Sequence, residues 1–216
     1  FNPCVEVGMY GYTDDGRSGF QMCNLTELAG GLSTTPEIFY AQCKAGSILG
    51  TLQAGHTDFA YLDSATREIV EREALIGVGI TGWMNNPDVL FNVDVQRKGA
   101  ETVKHWNKIT AALIGINQAA RTTVVKPSGN ASVLLQCASG IHGDHAPRYI
   151  RHVQMNKQTE VSKLIAATNP AMVETSVWSS LDYAISFPIE PKAGSIFKSD
   201  LLGTKQLDYV KLAQEN

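Results

Sequence analysis

The chain has 216 residues, 44% of them hydrophobic and 18% charged, and a formal net charge of -3. This composition predicts a soluble globular protein, one domain or part of a larger one. It offers no bulk basicity for a phosphate backbone, no apolar run near the ~20 residues of a membrane span, and no basic start or apolar stretch of a signal peptide, so neither nucleic acid nor membrane is expected as a partner.

The opening "FNPCVEVG" places Asn2, Cys4 and Glu6 at alternate positions. Pro3 biases Asn2 toward extended geometry, and in an extended chain residues two apart share a side. An amide, a thiol and a carboxylate on one face make an active-site set: an orienter, a sulfur reactant and a base. Four cysteines, Cys4, Cys23, Cys43 and Cys137, are irregularly spaced and include no CxxC pair. That pattern suits a reducing cytoplasm and gives a structural zinc site little support, because zinc ligands usually come in short-spaced pairs. The missing initiator Met and the abrupt "KLAQEN" suggest a segment cut from something longer.

Further along, "TTPEIFYAQCKAGSILGTL" predicts a helix with Thr35 as N-cap and Pro36 at its first position. Its expected core face is Ile38, Ala41, Ala45, Ile48, Leu49 and Leu52, with Cys43 off that face. The run "EALIGVGITGWM" reads as a buried strand between glycines. Gly77, Gly79 and Gly82 match GxGxxG, but the "WMNNPDVL" that follows carries a turn signal and Pro87 where a dinucleotide site needs a long helix, so tight strand packing is the preferred account. A second helix is expected over Gln96 to Asn117, with Val103, Trp106, Ile109 and Leu113 inward.

"RTTVVKPSGNASVLLQC" predicts a β-branched strand, a Gly turn and a short helix. Pro127 and Gly129 shape the turn, while Ser128, Asn130 and Ser132 are positioned to cap the helix. Free N–H groups and the helix dipole favour an anion there, so an ordinary capped helix and a phosphate cradle are both open readings. It is not a P-loop, since the Lys precedes the glycine and no GK[ST] follows. In "SGIHGDHAPRYIRH", His142, Asp144 and His145 lack metal-site spacing and read as a solvated surface loop. "ETSVWSSLDYAISFPIEP" is strand-like, and "TKQLDYVKLAQEN" is helical. Strands alternating with helices argue for an α/β layer or barrel.

Taken in order, "NPCVE", "FQMCNLTEL", "GVGITGW", "VKPSGNAS", "ASGIH", "RYIRHVQMNK" and "LDYVKLAQEN" resemble the catalytic subunit of ribonucleotide reductases, in particular the adenosylcobalamin-dependent class II enzymes. The resemblance implies an α/β fold, residues 1–216 forming part of a single ten-stranded α/β barrel with a finger loop. It also implies reduction of ribonucleoside di- or triphosphates through a thiyl radical at Cys4, with adenosylcobalamin as cofactor. Glu6 would be the general base for the 3′-hydroxyl, and Asn2 would hydrogen-bond the substrate hydroxyls. Cys23 would be one of two reducing cysteines, its partner lying on an N-terminal strand absent here. Pro127, Ser128, Gly129, Asn130, Ala131 and Ser132 would form the substrate phosphate site. The implied partners are the ribonucleotide, the missing N-terminal half of the enzyme and a thioredoxin-like or dithiol reductant. Cys43 and Cys137 match no catalytic position.

The Cys4 to Cys23 spacing of 19 residues departs from the pattern through the polar insertion "YGYTDDGRSG". Two alternatives stand beside the class II reading. One is a fragment of a class I large subunit, served by a separate radical subunit; the other is a catalytically silent nucleotide-binding remnant.

Overall fold

A strand followed by a long helix cannot return as a tight hairpin, so its next partner tends to run parallel to it. β1 (Leu25–Ala29) is followed by α1 (Pro36–Ala54) and α2 (Ser64–Glu73) before β2 (Gly77–Thr81) pairs with it in parallel, Leu25 opposite Gly77 and Ala29 opposite Thr81. After α3 (Pro87–Leu90) and α4 (Val93–Ile114), the chain returns as a third parallel line. Val78 N–H donates to the Thr122 carbonyl (2.9 Å) and Val124 N–H to the Val78 carbonyl (3.2 Å). The computed structural model describes residues 1–2 and 4–216, in two units: 1–144 with 193–216, and 145–192. Among the described residues the parallel strands form an open arc and not a closed barrel. No helix among them is long and apolar enough to cross a membrane.

α1 starts as its sequence dictates. Thr35 Oγ1 accepts from Ile38 N–H (3.4 Å), and Pro36 occupies the first turn, where its missing N–H is not needed. Its buried face differs from the expected one. Phe39, Cys43, Gly46, Ser47, Gly50, Thr51 and Ala54 face inward, while Ile38, Ala41, Ala45, Leu49 and Leu52 are exposed. α4 likewise spans Val93–Ile114, not Gln96–Asn117, and buries Gly99, Val103, Asn107, Thr110 and Ala111. Of its expected core, Val103 is buried, Trp106 and Ile109 are half-buried, and Leu113 is exposed.

The physical reason is a close, polar helix–helix seam. Ser47 Oγ donates to the Val103 carbonyl (2.7 Å), Asn107 Nδ2 to Thr51 Oγ1 (2.9 Å), and Asn107 Oδ1 accepts from Ala119 N–H (3.0 Å). Small residues bring the backbones close enough for these bonds, so glycine, serine and threonine take the place that periodicity assigns to leucine. α2 was outside the expected helices: its ten residues are largely charged, and only Ala65, Thr66, Ile69 and Val70 are buried.

The core lies between the strands and these helices, around Leu28, Phe39, Val78, Trp83, Met84, Leu90 and Val103. α5 (Asn130–Leu134) follows the third strand, and α7 (Gly203–Glu215) closes on the same core, Tyr209 lying 4.3 Å from Phe91 between ring centroids.

The second unit is antiparallel. β3 (Tyr149–Asn156) pairs with β5 (Asp182–Ile189), which also carries β4 (Val173–Thr175), and α6 (Glu160–Thr168) connects β3 to β4. The strand-like reading of "DYAISFPI" holds. The histidine-rich loop reading fails for its last part, because Tyr149 to His152 belong to β3, with Ser186 Oγ and His152 Nδ1 3.1 Å apart across the pair.

Candidate active site

The opening stretch is a reversal, not an extended strand. Val5 N–H donates to the Asn2 carbonyl (2.9 Å), Val5 has φ +57°, and Asn2 N–H donates to the Val7 carbonyl (3.3 Å). Pro3, the expected source of extended geometry, lies outside the described residues. The Asn2 side chain organises the loop. Its Oδ1 accepts from the N–H groups of Glu6 (2.9 Å) and Val7 (3.0 Å), and its Nδ2 donates to Glu6 Oε1 (3.3 Å). Asn2 is only 5% exposed, whereas Cys4 is open to solvent. Amide and carboxylate thus meet through a hydrogen-bonded turn.

Cys23 joins this cluster from the segment that leads into β1. Burial pushes its thiol up, the Glu6 carboxylate and Cys4 push the same way, and the Lys126 ammonium opposes them together with a hydrogen bond from Asn2. All four catalytic positions implied by the resemblance, Asn2, Cys4, Glu6 and Cys23, therefore sit in one electrostatic neighbourhood. The "YGYTDDGRSG" insertion between them is a hairpin on α2. Tyr12 bridges Ser18, Gly16 takes φ +88° at the turn, Arg17 pairs with Glu68 (2.6 Å), and Arg72 pairs with Asp14 (2.9 Å).

On β1 the side chains alternate: Thr26 and Leu28 face α1, while Glu27 faces the opposite side of the sheet. There Glu27 grips the turn at 126–132. Its Oε1 receives Lys126 Nζ (2.6 Å) and its Oε2 receives Ser128 Oγ (2.7 Å), with the two charged side chains 11% and 9% exposed. β2 runs between them and presents Gly77 and Gly79 on this face, against Val124. A Cβ at Gly77 would lie 2.5 Å from Leu25 Cδ2, so the glycine pattern serves close strand packing as expected; the helix after it has four residues.

The capping reading of the turn does not hold. The residue before α5 is Gly129, no side chain caps the helix, and Ser132 Oγ turns back to the Gly129 carbonyl (2.7 Å). Ser128 is held by Glu27, and its N–H by Ser139 Oγ (3.3 Å). Among the described residues the N–H groups of Gly129, Asn130 and Ala131 have no acceptor, as is usual for the first turn of a helix. Glu27 and Lys126 were not singled out from sequence, although both lie inside the quoted motifs "FQMCNLTEL" and "VKPSGNAS"; their pairing spans 99 residues.

Cys43 and Cys137 are buried, Cys137 with its N–H donating to the Ser132 carbonyl (3.0 Å), and burial drives the Cys43 thiol up to about 12. A cavity of about 310 Å³ lined by Phe39, Cys43, Val103 and Val125 includes Leu28 and Val78, which places it on the helix side of the sheet, not with the cysteine cluster. Among the described residues no group of three or more His, Cys, Asp or Glu is placed to hold a metal.

No family model matches the chain, and no curated protein matches it in sequence. A solved structure does: the crystal structure of a B12-dependent (class II) ribonucleotide reductase superposes with a TM-score of 0.65 at 17% identity, covering 89% of this chain and 29% of that one. The likeness is one of fold, and the chain spans less than a third of that protein's length.

Proposed function

We propose that the chain is part of the catalytic barrel of a ribonucleotide reductase that reduces ribonucleoside di- or triphosphates through a thiyl radical at Cys4. The observation that carries the reading is the convergence of Asn2, Cys4, Glu6 and Cys23 within reach of the Lys126 charge, Lys126 leading directly into the turn of Pro127, Ser128, Gly129, Asn130, Ala131 and Ser132. A reductase with this fold supports it from outside.

In this reading the substrate phosphate rests on the unengaged N–H groups of Gly129, Asn130 and Ala131. Asn2 and Glu6 hold the ribose hydroxyls, and Glu6 accepts the 3′-hydroxyl proton as Cys4 removes the 3′ hydrogen atom. Cys23 and a partner cysteine from the rest of the barrel supply two electrons at the 2′ position, closing a disulfide that a dithiol or thioredoxin-like protein later reduces. Cys4 is open to an approaching radical source. In this reading adenosylcobalamin, when bound, would supply the radical that oxidises the Cys4 thiol.

The test combines the chain with a polypeptide supplying the remainder of a reductase barrel and measures deoxynucleotide formation with a dithiol, with and without adenosylcobalamin. Product that requires cobalamin and is lost in Cys4→Ser, while nucleotide binding persists, is the expected result. Product without cobalamin refutes the class II assignment. Absence of product with any radical source leaves only nucleotide binding to explain the turn.

A further inference from the structure

The segment that carries Cys23 is fastened to α2 and its exit on both sides of the cysteine. Phe20 N–H donates to Thr66 Oγ1 (3.0 Å), Gln21 Nε2 to Glu73 Oε2 (3.3 Å), and Asn24 Nδ2 to the Leu75 carbonyl just beyond the helix (2.9 Å). Gln21 Oε1 turns back to accept from Met22 N–H (2.9 Å), so a single amide holds both the helix and the backbone one residue before Cys23.

Glu73 is itself held. Its Oε1 accepts from Arg72 Nη2 (2.7 Å), and Arg72 reaches the 10–19 hairpin twice, through Nη1 to Asp14 Oδ1 (2.9 Å) and through Nη2 to the Tyr12 carbonyl (3.0 Å). The side chains of Arg72 and Glu73 are 28% and 17% exposed, so solvent screens them less than the open Arg17–Glu68 pair of the same hairpin. The hairpin lies close enough to α2 for these bonds because Gly19 carries no side chain: a Cβ there would stand 2.8 Å from the Thr66 backbone nitrogen and 2.9 Å from Ile69 Cδ1. An unbroken line of hydrogen bonds therefore runs from Asp14 through Arg72, Glu73 and Gln21 to the backbone beside Cys23.

A surface insertion needs no such line to be tolerated, since a loop lengthens at little entropic cost. A cysteine that must close a disulfide does need a fixed backbone, because the bond forms only when the two Cα atoms lie about 4.4 to 6.8 Å apart. We infer that Arg72 and Glu73 are positioning residues for Cys23, acting through Gln21, and that the 10–19 hairpin is the anchor that holds them in place. The inference rests on reading Cys23 as a reducing thiol, and it names the part of the chain that sets where that sulfur stands.

The experiment is iodoacetamide alkylation of the native chain at one pH, with Cys4, Cys23 and Cys43 resolved by peptide mass spectrometry. Glu73→Leu and Gln21→Leu cut the line on either side of the bond they share, and each is expected to speed Cys23 alkylation by about threefold to tenfold, the factor that a lost hydrogen bond carries in a local opening. Glu73→Gln keeps a side chain that accepts from Arg72 and bonds Gln21, and should stay within about twofold of the native rate. Arg72→Met frees Glu73 from the hairpin and should also speed the reaction. Arg72→Met combined with Gln21→Leu should be no faster than Gln21→Leu alone, because members of one connected line do not add. Cys43, enclosed between α1 and α4, should keep its native rate throughout.

An unchanged Cys23 rate in Gln21→Leu or Arg72→Met would overturn the inference. So would multiplication of the two effects in the double variant, or a Glu73→Gln rate equal to that of Glu73→Leu. Acceleration of Cys43 in step with Cys23 would show a general opening of the unit and would overturn it as well. Gln21→Leu leaves α2 untouched, so the inference stays testable if Glu73→Leu does not fold. Because alkylation needs neither substrate nor radical, failure of the reductase assay would leave this result standing, and the two readings fail separately.

Discussion

Cys4 and Cys23 share a neighbourhood but differ in access, and thiol chemistry follows access as much as charge. Cys4 stands in the open at the turn, Cys23 is half-buried, and Cys43 and Cys137 are enclosed. The expected order of modification by a small alkylating agent is therefore Cys4, then Cys23. Cys43 and Cys137 should react only after denaturant is added, which time-resolved peptide mass spectrometry would check. Early labelling of Cys43, whose thiol is pushed up to about 12, would contradict the burial that α1 and α4 impose on it. At this scale the sequence was poor about geometry. Ordered motifs nominate Asn2, Cys4, Glu6 and Cys23, but the expected extended face is replaced by a turn that Asn2 ties to Glu6 and Val7. Side-chain to backbone bonds of this kind are invisible to alternation.

At the scale of elements, what could be read depended on which residues fill the interfaces. The start of α1 was explicit in Thr35 and Pro36, because caps are local chemistry. The inward faces of α1 and α4 were not, because hydrophobic periodicity looks for large side chains, whereas their seam is built from Cys43, Ser47, Thr51, Gly99 and Asn107, and Gly46 and Gly50 let α1 approach the sheet. Asn107 is the joint of the seam, 1% exposed and bonded to Thr51 and Ala119. Asn107→Ala should lower stability by about 2 kcal/mol, since the buried Thr51 and the half-buried Ala119 N–H lose their bonds while little volume is removed. Urea denaturation would measure it as a lower midpoint at unchanged slope. A neutral result would mean that water replaces the amide and that the seam is looser than its distances indicate. The Glu27–Lys126 contact belongs to the same class of hidden feature: each residue is unremarkable alone, and only the parallel register of three strands brings them together.

For the molecule as a whole, the segment 145–192 is a unit inserted between residues 144 and 193 of the first. Asp144 N–H donates to the Ile196 carbonyl and Lys198 N–H to the Asp144 carbonyl, both 2.9 Å, while Asn85 Nδ2 donates to Ser195 Oγ (2.8 Å) and to Asp144 Oδ2 (3.1 Å). The two chain ends are thus adjacent and fixed from within the first unit. Replacing residues 145–192 by a short Gly-Ser linker should leave a cooperative urea transition and the helical far-ultraviolet signal of residues 1–144. Loss of cooperativity would show that the first unit depends on the inserted segment to fold. The alternation of strands and helices expected from sequence is found in the first unit, whereas the antiparallel character of 145–192 was not legible, because strand segments alone do not state their direction.

The docking of α7 sets a timetable for synthesis. Tyr209 meets Phe91, and Phe91 stacks on Trp83 at 5.1 Å, so the core around Trp83 is completed by residues more than a hundred positions later in the chain. A polypeptide emerging from the ribosome can pair β1 with β2 and close the 145–192 sheet while that aromatic surface is still bare. Contacts of such long sequence separation form late and slowly. The interval between the emergence of Trp83 and that of Tyr209 is when this chain has most need of a chaperone.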